Sequence, residues 1–101
     1  MSVEKQQAIV KVLKTVFDPE IPVNIYDLGL IYRIEVEGSE AIVDMTFTAP
    51  SCPAAEFILE DVRMKVAGVE GIEKATVNVV FDPEWDREMM SEEAKLELGF
   101  L

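Results

Sequence analysis

The stretch Thr46-Phe47-Thr48-Ala49-Pro50-Ser51-Cys52-Pro53 carries the only cysteine of the chain, and with it the only thiol. Pro53 suits the first position of a helix, because the N–H it lacks would have no partner there. Cys52 therefore falls at or near an N-cap, where unpaired backbone N–H groups and the positive end of the helix dipole favour the thiolate. Thr46, Thr48 and Ser51 add hydroxyls beside it. A lone cysteine is by default a small buried hydrophobe, but a place between two prolines at a helix start suits a reactive thiol better.

The elements that must position this thiol follow from periodicity. Residues 41–48 alternate, with Ala41, Val43, Met45 and Phe47 on one face, so the thiol loop joins a strand to a helix. Residues 30–37 alternate as strictly, with Leu30, Tyr32, Ile34 and Val36 inward. Gly38-Ser39 between them signals a two-residue hairpin turn. The register then pairs Glu37 with Glu40, Val36 with Ala41, Ile34 with Val43, Tyr32 with Met45 and Leu30 with Phe47. It also sets Arg33 against Asp44, an opposite-charge pair.

Upstream, Ser2 caps a first helix reaching to about residue 17, with Ile9, Leu13, Val16 and Phe17 on its core face. A long connection over 18–29 follows. Downstream, a helix over 53–67 carries Ala55, Ile58, Leu59, Val62 and Val66 as its core stripe, with Phe57 and Met64 as flanking core, and stops at Gly68. Ala75, Val77, Val79 and Phe81 mark a third strand, and Ser91 caps a short helix ended by Gly99. The order predicts an α/β fold of α+β type, a two-layer sandwich with a three-stranded mixed sheet, as one domain over 1–101. The third strand runs parallel to the second; which neighbour it takes is left open.

Twenty acidic against nine basic side chains give a formal charge of −11. Such a surface repels phosphate backbones and anionic lipid, so neither nucleic acid nor membrane is expected as a partner. With no histidine in the chain, the commonest general base and metal ligand are absent. A single cysteine and the lack of an apolar run near the ~18 residues of a membrane span point to a cytoplasmic protein.

Strand direction gathers the candidate site. The second strand ends at the thiol loop, the first begins at that end, and the third, parallel to the second, also finishes there, the usual place for a site in an α/β sheet. Asp18, Glu20, Asp27, Thr48, Cys52 and Trp85 are thereby drawn together. Asp18 and Asp27 also suit plain turn roles, and Trp85 suits a hydrophobic lid.

Three blocks then carry a resemblance: Asp18-Pro19-Glu20-Ile21-Pro22-Val23-Asn24-Ile25-Tyr26-Asp27-Leu28-Gly29-Leu30-Ile31-Tyr32, the Thr46–Pro53 stretch, and Phe81-Asp82-Pro83-Glu84-Trp85. Together they resemble the signature blocks of the SufT/PaaD-like family of metal–sulfur cluster assembly factors, over nearly the whole chain. The resemblance implies a role in maturing iron–sulfur proteins, with Cys52 as the functional thiol and metal ligand and Asp18 and Glu20 beside it. It implies assembly proteins and client apo-proteins as partners.

A stable iron–sulfur cluster takes about four thiolates, and one chain supplies one. A transient cluster or iron, shared with a second chain, a partner's cysteines or a free thiol, fits better than a resident one, and a homodimer is one way to reach it. Carboxylates at Asp18, Glu20 and Asp27 can assist iron, yet they also raise the thiol pKa. The rival readings are a PaaD-like accessory subunit or interaction module of a larger enzyme, and a thiol enzyme. The last lacks a histidine base and has Ala49 where a peroxidase would place threonine. Seven acidic and two basic side chains over residues 82–101 offer a surface for a basic partner.

Overall fold

The computed structural model describes residues 3–17, 21–47 and 55–99. Helix α1 (Val3–Leu13) is followed by strands β1 (Ile31–Glu37) and β2 (Glu40–Met45), helix α2 (Ala55–Ala67), strand β3 (Lys74–Val79), a 3₁₀ turn (Arg87–Met89) and helix α3 (Glu92–Glu97). The sheet order is β1-β2-β3, with β2 central, antiparallel to β1 and parallel to β3. The third strand thus lies beside the second. α1 packs on β1 and on α2, and α2 on β3, which makes one helical layer over the sheet. The expected α+β sandwich is the fold observed.

Alternation decides which face of the sheet meets that layer. Ala41, Val43 and Met45 are buried against Ile9 and Leu13 of α1 and Ile58, Val62 and Val66 of α2. The opposite face is charged: Arg33 pairs with Asp44 at 2.9 Å and with Glu35 at 2.8 Å. Asn78 of β3 donates to the same Asp44 at 3.0 Å. The connection before β1 is also core, since Val23, Ile25, Leu28 and Leu30 are buried. Each such side chain contributes on the order of 1.5–3 kcal/mol, so this loop is fixed by packing rather than by secondary structure.

The hairpin register matches the expectation from the turn as far as Arg33↔Asp44, and Gly38 takes the positive φ (+59°) that the turn requires. Beyond that point it departs. A bulge between Ile31 and Arg33 sets Ile31, not Tyr32, against Met45. Thr46 N then donates to Leu30 O at 2.8 Å, so Leu30 stands opposite Thr46 rather than Phe47. The extra residue is Tyr32. Ile31 takes its place against the core.

Three aromatic residues and one methionine also lie elsewhere than expected. α1 gives way after Leu13 to tighter turns, and Ile25 N bonds Val16 O at 2.8 Å while Phe17 and Asn24 form an isolated bridge. This pairing replaces the last helical turn, and Phe17 is 53% exposed. β3 stops at Val79, so the alternation no longer governs Phe81, which is exposed. Phe57 and Met64 are not flanking core: they are 83% and 60% exposed.

Candidate functional site

At one end of the sheet β1 begins, β2 finishes and β3 finishes, as the paired registers require. The two segments that leave this end within the described residues, 24–32 and 80–91, are fastened to each other. The Trp85 indole donates from Nε1 to Leu28 O at 2.7 Å. Ser91 N donates to Asp27 O at 2.8 Å. The Tyr32 hydroxyl donates to Pro83 O at 2.8 Å, with Met89 Sδ 3.5 Å away. The peptide bond before Pro83 is cis. Gly29 closes the clasp: its φ is +83°, and a Cβ there would lie 2.3 Å from Met89 O. Only glycine permits that approach.

The local sequence explains each half. Asn24 shapes the first segment, its Oδ1 accepting from Asp27 N at 2.9 Å and its Nδ2 donating to Asp27 Oδ2 at 2.8 Å. In the second, Asp86 accepts from Glu88 N at 2.8 Å to start the 3₁₀ turn, and Ser91 Oγ accepts from Ala94 N at 3.1 Å to cap α3. Ser91 is the expected cap. Met90 and Ala94 are buried, and Trp85 packs half-buried against the core beside a largely apolar hollow of about 380 Å³ shared with Ile21, Pro22, Leu28, Met90 and Leu98 and edged by Arg87.

Of the candidate residues named from sequence, Asp27 and Trp85 meet at this clasp. Asp27 contributes its backbone carbonyl there, while one carboxylate oxygen is held by Asn24. Thr46 leaves β2 toward the same end. Its side chain is fully buried, and Oγ1 has no hydrogen-bond partner among the described residues. Burial pushes the Tyr32 phenol above its usual value of 10.0, and the nearby Thr46 hydroxyl offsets part of that rise without forming a well-aligned bond. Asp18, Glu20, Thr48, Ser51 and Cys52 lie outside the described residues. Among the described residues no three histidine, cysteine, aspartate or glutamate side chains gather to hold a metal.

Sequence reasoning missed Tyr32 and Met89 as parts of this end, and Asn24 as its organiser. An asparagine three residues before Asp27 was a readable signal, because its side chain can bridge such a turn. The bulge that turns Tyr32 outward left no mark on the alternation.

The chain is similar to known proteins along nearly its full length. A family profile described as iron–sulfur cluster assembly protein matches residues 6–79. The Fe-S protein maturation auxiliary factor of Porphyromonas gingivalis is 58% identical over 97% of this chain and 94% of its own. The Fe-S protein maturation auxiliary factor SufT of Staphylococcus aureus is 39% identical over 83% of this chain and 97% of its own. The crystal structure of a domain of unknown function from Bacillus anthracis superposes with a TM-score of 0.89 at 36% identity, covering 97% of this chain and 94% of that one. Fold and sequence agree with the resemblance carried by the three blocks, and the chain belongs to the iron–sulfur cluster assembly protein family.

Proposed function

We propose that this protein matures iron–sulfur proteins by carrying iron or a transient cluster on the Cys52 thiol and passing it to a client apo-protein. The similarity to maturation factors supports the reading. The observation that carries it is local: β2 leads through a buried Thr46 hydroxyl, which has no hydrogen-bond partner among the described residues, into the thiol segment, at the end of the sheet where the 24–32 and 80–91 segments are clasped. A hydroxyl buried without a partner costs about 1–3 kcal/mol, a cost that a role toward that segment would account for.

The cluster is cargo rather than a resident group. One thiol cannot complete a set of about four ligands, so loading draws on a second chain, a partner's cysteines or a small thiol. Transfer is then ligand exchange: a client thiol replaces Cys52 on iron, the proton it gives up on binding iron passes to the departing Cys52 thiolate, and nothing is oxidised. No catalytic turnover of a small substrate is part of this reading.

The test is anaerobic reconstitution with iron, sulfide and a small thiol, read by absorption and by native mass. The wild type should take up a cluster that is lost on gel filtration when thiol is withheld, and Cys52→Ala should take up none. Uptake by Cys52→Ala equal to wild type would remove the thiol from the account.

A further inference from the structure

Phe17, Phe57 and Met64 are exposed at 53%, 83% and 60%. They are not scattered. Together with the buried Val16 and Ile58 they line one groove of about 610 Å³ between the turns that follow α1 and the face of α2, and among the described residues the only polar ones lining it are Glu60 and Asp61. We infer that this groove binds the apolar face of a cationic amphipathic helix presented by a partner protein.

The dimensions fit such a helix. Phe57 and Met64 stand seven residues apart on α2, which at 1.5 Å per residue is a span of about 10 Å, the reach of the i, i+3, i+4 and i+7 anchors of a docked helix. Methionine and an exposed phenylalanine make an adaptable apolar floor. An apolar groove of this size is otherwise a liability on a protein surface.

Charge selects the occupant. Glu60 and Asp61 are each satisfied along α2 by Arg63 and Lys65, but both are solvent-exposed pairs that an incoming lysine or arginine can join. A second copy of this chain would add its own formal −11 to the complex, which opposes self-association. A basic partner is drawn by the same field. The inference does not depend on Cys52, since none of the described residues lining the groove belongs to the thiol segment.

The test uses the full isotope-labelled chain and a short synthetic amphipathic helix with leucines on one face and lysines along both flanks, followed by NMR. The lysine peptide should perturb Phe17, Phe57 and Met64 first, and its affinity should fall as salt is raised. Phe57→Ala and Met64→Gln should each weaken it about tenfold, with chemical shifts elsewhere unchanged, since both sites are exposed. The same peptide with glutamates in place of lysines should bind far more weakly. Absence of binding at about millimolar peptide, equal binding of the glutamate peptide, or perturbations centred away from the groove would each overturn the inference. So would self-association of the wild-type chain that Phe57→Ala abolishes, which would make a second copy the occupant.

Discussion

Gly29 and Met89 meet backbone to backbone, so closely that a Cβ on the glycine would stand 2.3 Å from the Met89 carbonyl oxygen. This contact presses the 80–91 segment onto the start of β1. Gly29→Ala must therefore both strain a φ of +83° and push the clasp apart. It should cost about 1–3 kcal/mol in denaturant unfolding, with amide exchange faster around Trp85 and Ser91 than in β2.

Trp85 contributes a ring to the core and one directed hydrogen bond to Leu28 O. Trp85→Phe keeps most of the packing and leaves that carbonyl without its donor. The expected loss is about 0.5–1.5 kcal/mol, whereas Trp85→Ala should cost clearly more because the half-buried ring is lost as well.

Tyr32 gives the clasp a pH dependence. Burial raises its phenol pKa above 10.0 in the folded chain, so the folded state holds the phenolic proton more tightly than the unfolded one. The stabilisation is complete below pH 10.0 and is lost as pH rises through the folded value. Tyr32→Phe removes the bond to Pro83 O and should cost about 1 kcal/mol at neutral pH. The gap between wild type and this variant should narrow on titration above pH 10.0, as measured by urea unfolding at each pH.

Thr46 separates stability from function. Its hydroxyl is buried and has no hydrogen-bond partner among the described residues, so Thr46→Val removes a desolvated polar group while keeping the shape. The variant should be as stable as wild type or more so, by on the order of 1 kcal/mol. Cluster transfer should nevertheless fall if the hydroxyl serves the thiol segment; a variant equal to wild type in both measurements would assign Thr46 to packing alone.

The fold was legible wherever one pattern governed a whole element. Val36↔Ala41, Ile34↔Val43 and Arg33↔Asp44 all follow from a two-residue turn and strict alternation. The bulge at Tyr32 was not, because Ile31 and Tyr32 are both apolar and shifting one for the other leaves the pattern unchanged. Phe17 and Phe81 mark the opposite failure, in which periodicity was extended past an element that tertiary pairing or strand termination had already ended. Phe57 and Met64 lay off the stripe of α2, and that offset was itself the sign that they are exposed. Nothing in the sequence chose between β1 and β2 as the neighbour of β3. The convergence of 24–32 with 80–91 did follow, since strand direction alone requires it, while Asn24, Tyr32 and Met89 entered only through contacts between residues far apart in the chain.

Client cluster occupancy tests the central claim most directly. In a strain lacking this protein and complemented with each variant, iron and sulfide content of a purified client iron–sulfur protein is measured against its abundance. The account predicts that wild type restores occupancy, that Cys52→Ala leaves the client abundant but cluster-poor, and that joint replacement of Asp18 and Glu20 restores it in part. Full restoration of occupancy by Cys52→Ala would contradict it.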